Sequence, residues 1–156
     1  MNKDKIKIFL VDDDALFLKS LEIDFLERAD FSIETFATGE LCIENLSHKP
    51  DVIVLDYFLD GVDKTAMNGI ETLDKIKSFN SDIPVVMLCS QDKIDVAIEC
   101  MHHKAFDYVV KSETAFLRLQ KIITTIFHYQ KVEKELNCIW KGCKIQLLYY
   151  FFTIYS

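Results

Sequence analysis

The sequence lacks a basic excess: 18 Lys and Arg stand against 25 Asp and Glu, a formal net charge of -7 at pH 7. A surface of that balance does not attract nucleic-acid phosphates, so direct nucleic-acid binding is not expected. Paired cysteines are missing too. The five at 42, 89, 100, 138 and 143 form an odd set with no CxxC pair. That argues against a disulfide framework or a zinc knuckle and fits reduced thiols in a cytoplasmic protein. Long apolar runs are also absent. The opening MNKDKIKIFLVDDD reaches acidic residues too early for a signal-peptide core. The uncharged stretch IQLLYYFFTIYS at 145–156 falls far short of the ~20 residues of a transmembrane helix. A chain of 156 residues is expected to hold one domain, with no room for a second full one.

What is present is a balance of half hydrophobic and just over a quarter charged residues, enough to build a core. Short apolar runs alternate with segments of helical period. IKIFLV (6–11) precedes a helix over 15–28 with Leu18, Leu21 and Phe25 at helical spacing, and FSIETF (31–36) precedes one over 40–46. DVIVLD (51–56) precedes a helix over 70–79, 83–88 precedes one over 94–101, and 106–110 precedes a long helix from about Glu113. In the fourth helix Ile94, Ala97, Ile98 and Met101 line one face. Five strand–helix units with Val/Ile/Leu-rich strands predict a doubly wound α/β fold, a parallel sheet buried on both faces with right-handed crossovers.

In such sheets ligands collect beyond the carboxyl ends of the strands. The polar residues there are Asp12, Asp13 and Asp14 after the first run, Asp56 at the end of the third, Cys89 and Ser90 after the fourth, and Lys111 after the fifth. Converging carboxylates repel one another unless a cation separates them. Mg²⁺, which takes oxygen ligands and combines one or two carboxylates with phosphate oxygens, suits Asp13 and Asp56. A carboxylate also attacks phosphorus to give an aspartyl phosphate, while Lys111 neutralises phosphoryl oxygens and a hydroxyl after the fourth strand donates a hydrogen bond. Singly, each residue reads as a solvated turn or a surface charge, and Asp14 reads as a helix N-cap. The case rests on the set.

IFLVDDD, VIVLDYFL, IPVVMLCS and DYVVK, in this order and spacing, resemble the strand-end signatures of response-regulator receiver domains over residues 5 to about 128. The resemblance implies a flavodoxin-like (βα)5 fold with strand order 2-1-3-4-5, an order the family shares with a chemotaxis member that serves as a general example of this fold. It implies Asp12 and Asp13 as the acidic metal pair, Asp56 as phosphoacceptor and third metal ligand, and the Phe58 carbonyl as completing the Mg²⁺ shell. Lys111 corresponds to the phosphoryl-pairing lysine, and Tyr108 to the aromatic that switches rotamer. The implied partners are a histidine kinase or phosphotransfer protein and a downstream protein target.

Three departures stand out. The switch hydroxyl position falls on Cys89, a weak donor, with Ser90 next; either Cys89 makes a poorer switch, which is the expectation, or the register shifts and Ser90 supplies the hydroxyl. Ser112 replaces the usual proline after Lys111. The loop from Phe58 to Asn68 is long, with Gly69 thirteen residues after Asp56; Asp60 and Asp63 on it read as solvated loop carboxylates rather than ligands. His102 and His103, adjacent on a helix and facing different ways, read as surface or partner-contact residues.

The expected division is a receiver over 1–128 and a helical extension with an apolar tail over 129–156. Ile122, Ile126, Tyr129, Val132, Leu136 and Ile139 follow a near-heptad spacing compatible with a homodimer seam, although a helix packing on its own sheet uses many of the same positions. The apolar tail fits a partner surface, a membrane-interface contact or an aggregation-prone end. The expected function is a phosphoacceptor receiver and not a multiple-turnover enzyme. A phosphorylation-independent interaction module is the alternative, and a Mg²⁺-dependent phosphohydrolase is disfavoured because position 58 is Phe where a second acid would be needed.

Overall fold

The computed structural model describes residues 5–61, 64–90 and 93–154. Two compact units, Met1–Gln120 and Lys121–Ser156, divide the chain. In the first, five strands, β1 (Ile6–Val11), β2 (Phe31–Phe36), β3 (Val52–Asp56), β4 (Val85–Cys89) and β5 (Asp107–Val110), form one all-parallel sheet in the order β2-β1-β3-β4-β5. The expected doubly wound α/β fold and its strand order are both present.

Helices α1 (Ala15–Leu26), α2 (Gly39–Glu44), α3 (Gly69–Phe79), α4 (Ile94–His102) and α5 (Ala115–Ile154) follow the strands in turn. Local chemistry sets their starts. Asp14 caps α1 by accepting from the Leu16 and Phe17 amides at 3.0 and 3.1 Å. Asn68 and Glu71 form a reciprocal capping box on α3, satisfying two amides that would otherwise lack partners. Asn45 ends α2 early, and a 3-10 turn (Leu46–His48) takes over.

The interior strands β3 and β4 are buried at every position and β1 at its last four, so continuous apolar runs read correctly there. The edges differ. β2 and β5 are half-buried over most of their length, because an edge strand is flanked on one side only. β4 starts at Val85 rather than Ile83, since Pro84 has no amide for the ladder. The predicted stripe of α4 forms, but outward: Ile94, Ile98 and Met101 are 77%, 49% and 52% exposed, while Cys100 is buried and Val96 packs on the core. Period identifies a face without saying which way it points.

Register aligns the functional edge. Val11 pairs with Leu55, Asp56 with Leu88, and Cys89 with Val110. Residues 12, 56, 89, 90 and 111 therefore meet at one end of the sheet. In the second unit Ile123 and Ile126 are buried, and every residue from 131 to 154 is exposed.

Candidate functional site

Asp12 and Asp56 are each 1% exposed, an unusual depth for carboxylates. Between them sits Lys111, its Nζ 2.7 Å from Asp12 Oδ2 and 3.0 Å from Asp56 Oδ2. The strand ends hold it there. The Lys111 amide donates to the Cys89 carbonyl at 2.7 Å, and its ammonium lies 4.9 Å from the Phe17 ring centroid, a cation–π distance.

One cation does not balance two buried carboxylates and the adjoining Asp13. Burial first, then the Asp12 charge, pushes the Asp56 carboxyl from its ordinary 3.8 up to about 6, although Lys111 and the Phe58 amide work against the rise. Asp12 is raised as well, chiefly by burial, with Lys111 and the Asp14 amide opposing. Burial works to lower the Lys111 pKa, but the hydrogen bond to Asp12 and the two carboxylate charges outweigh it and raise it. The pocket favours added positive charge.

Its geometry fits a hard divalent cation. One carboxylate oxygen from each of Asp12, Asp13 and Asp56 lies within 4.8 Å of the others. Among the described residues, Asp56 Oδ1 is buried without a hydrogen-bond partner, and Asp12 Oδ2 is held only through its ion pair with Lys111. The Phe58 carbonyl borders the same spot: a Cβ built on Gly61 would lie 2.9 Å from Asp13 Oδ2 and 3.9 Å from Phe58 O. Space for a ligand shell exists there because residue 61 has no side chain. Asp60 is not part of the acidic cluster found among the described residues, and Asp63 lies outside them.

Of the remaining sequence candidates, Cys89 is buried at the β4 end and Ser90 next to it is exposed. Tyr108 is half-buried and packs against the core. Among the described residues no peptide is cis, so the Lys111–Ser112 bond is trans, and the Ser112 and Thr114 hydroxyls lie 3.1 Å apart. His103 is not only a surface group: its Nδ1 lies 2.7 Å from Asp74 Oδ1, joining the end of α4 to α3.

Sequence reasoning missed four residues. Tyr57, next to Asp56, donates from its hydroxyl to Glu99 Oε2 of α4 at 2.6 Å and stacks edge-on against Phe58; no periodicity links residues 42 apart. Gly69 is the closest approach of α3 to the site, since a Cβ there would lie 2.6 Å from Tyr57 Cα and 2.7 Å from Tyr57 O, and closer still to the Asp56 carbonyl. Gly61 and Phe17 complete the group. The signal for Gly61 was a loop glycine five residues after the strand-end Asp56, and for Gly69 a glycine opening the next helix.

A five-stranded 2-1-3-4-5 sheet carrying an acidic pocket and a lysine at its carboxyl edge defines a phosphoacceptor domain of two-component signal transduction. Residues 8–124 match the sequence profile described as "Response regulator receiver domain", and the chain belongs to that family. The protein-glutamate methylesterase/protein-glutamine glutaminase of Clostridium acetobutylicum is 39% identical over 119 residues, covering 72% of this chain and 32% of that protein. Transcriptional regulatory protein QseB of Haemophilus influenzae is 31% identical over 149 residues, 86% of this chain and 64% of that protein. The chain thus spans about a third of the first relative and just under two thirds of the second. The signal receiver domain of a LuxO repressor protein from Vibrio parahaemolyticus shares the fold, with a TM-score of 0.72 at 21% identity over 85% of this chain and 97% of that one. Receiver domains bind Mg²⁺ in an acidic pocket and work with histidine kinases or phosphotransfer proteins and with downstream effectors.

Proposed function

We propose that Asp56 accepts a phosphoryl group from a histidine kinase or phosphotransfer protein in the cytoplasm, and that the altered face of the domain changes its binding to a protein target. The observation that carries this reading is the buried Asp56 carboxylate with Oδ1 unpaired and Lys111 Nζ 3.0 Å from Oδ2. In the transfer an Asp56 oxygen attacks phosphorus, the bond from phosphorus to the donor histidine nitrogen breaks, and the acyl phosphate forms on Asp56. Lys111 stays beside the site and pairs with a phosphoryl oxygen, which replaces the negative charge it already neutralises. Asp12, Asp13, Asp56 and the Phe58 carbonyl would hold Mg²⁺, which neutralises charge on the transferring group. Cys89 with the neighbouring Ser90, and Tyr108, are the switch positions.

The reading includes a receiver over 1–128 and a helical extension over 129–156; Ile126 is the last buried residue among those described, while the compact units divide earlier, after Gln120. It also includes self-association through the exposed Tyr129, Val132, Leu136 and Ile139, detectable by sedimentation. The chain acts as a switch and not as a multiple-turnover catalyst. Incubation with a radiolabelled, autophosphorylated histidine kinase tests it: label should move to this chain, require Mg²⁺ and be released by hydroxylamine. No label on this chain from any of a panel of donors, small acyl phosphates included, would refute it.

A second reading is favoured by one observation. Cys89 is a buried thiol where a hydroxyl would receive the signal, which fits a receiver fold that binds its partner regardless of phosphorylation. Cys89→Thr separates the two. If that change alone makes α4 respond to beryllofluoride in hydrogen exchange, the native chain is the constitutive module; if the wild type responds already, it is the switch.

A further inference from the structure

The last ten described residues, 145–154, carry no charge and continue α5 without a break. Their apolar residues are not confined to one stripe. At 100° per residue, Leu147, Tyr150 and Ile154 lie on one side of the helix and Ile145, Leu148 and Tyr149 on the other, and all six are 58–76% exposed. A second copy of the chain packed along a heptad seam covers one stripe of each helix, so it would leave the opposite apolar side in water. A helix apolar over most of its circumference, with only Gln146 and Thr153 on a narrow polar stripe, fits an apolar medium better than a single neighbour.

Charge points the same way. After Glu135 there is no acidic residue, and Lys141 and Lys144 are the only charges in residues 136–156 of a chain whose net charge is -7. The two lysines are three apart, on one side of the helix, just before the uncharged segment. Trp140, the only tryptophan in the chain, adjoins them and is 67% exposed. A tryptophan and two cations followed by a run of uncharged, mostly apolar residues match the headgroup and interfacial level of an anionic bilayer and then its acyl layer. Ten helical residues measure about 15 Å, about half of a ~30 Å hydrocarbon core. Among the described residues no helix is long and apolar enough to cross a membrane.

We propose that residues 140–154 form a membrane-surface anchor that inserts into one leaflet of an anionic bilayer, with Lys141 and Lys144 at the phosphate level. The inference does not depend on phosphorylation of Asp56. Flotation of the full chain with phosphatidylcholine vesicles, with and without phosphatidylglycerol, tests it, because aggregates sink while vesicle-bound protein rises. The expected result is flotation with the anionic vesicles and a blue shift of Trp140 emission. Lys141→Gln with Lys144→Gln should weaken that binding by tenfold or more, at ~1 kcal/mol per lysine, and Leu147→Asp with Leu148→Asp should abolish it. Circular dichroism and phosphoryl uptake report whether the variants fold. Protein that stays in the dense fractions with both vesicles would overturn the proposal, as would binding indifferent to the two lysines. So would a dimer in which Trp140 is already blue-shifted without lipid, since a second copy would then be the cover.

Discussion

Replacing Asp56 with Asn should make the protein more stable at neutral pH, even though it removes the group the fold presents for chemistry. Burial and the Asp12 charge lift the Asp56 carboxyl from 3.8 to about 6 in the folded chain. At ~1.4 kcal/mol per pH unit, ionising it in place costs about 3 kcal/mol. Between pH 4 and 6, roughly, the unfolded chain releases this proton while the folded chain keeps it, so stability falls as pH rises through that window. Above pH 6 the whole loss is present. Asparagine has the same shape without the charge, so the variant should exceed the wild type by up to about 3 kcal/mol at pH 7.5 in chelator, roughly 10 °C in midpoint. Near pH 4 it should gain almost nothing. Urea unfolding at both pH values reads the difference as a shifted midpoint with an unchanged slope. Saturating Mg²⁺, which stabilises the ionised native wild type by mass action, should narrow the gap. Equal stability of the two proteins at pH 7.5, or a gain of the same size at pH 4, would refute the reasoning.

Lys111→Met removes the cation 2.7 and 3.0 Å from two buried carboxylates. It should cost about 3–5 kcal/mol at pH 8 and less at pH 5, where the carboxylates take up protons, as urea titration at the two pH values would record. Gly69→Ala drives a methyl group against the Tyr57 backbone. It should lose about 1–3 kcal/mol and slow phosphoryl uptake by shifting the end of β3. Gly61→Ala pushes against the Asp13 carboxylate with little effect on the core. Calorimetric titration with Mg²⁺ should show roughly tenfold weaker binding at near-native stability.

The carboxyl edge of the sheet was legible because period and chemistry coincide there: the first, third and fifth apolar runs stop at Asp12, Asp56 and Lys111, and register does the rest. Asp12, Asp56 and Lys111 converge for that reason. The outward stripe of α4 was legible as a stripe but not as a direction, because a nine-residue helix that buries Cys100 and packs Val96 satisfies the same period. The Tyr57–Glu99 and His103–Asp74 pairs were not legible at all. Each joins polar residues on different elements, and which of many surface acids a tyrosine or histidine meets is decided by packing. The early end of α2 had a local cause in Asn45, whose side chain donates to the Leu41 carbonyl.

Asp56 is proposed here as the phosphoacceptor of a metal-dependent site. Intact-mass spectrometry of the wild type and Asp56→Asn, after incubation with a small acyl phosphate with Mg²⁺ or with chelator, tests it most directly. One added phosphoryl group is expected on the wild type with Mg²⁺ and none in the other three samples. An equal gain on Asp56→Asn, or a gain by the wild type in chelator, would contradict it.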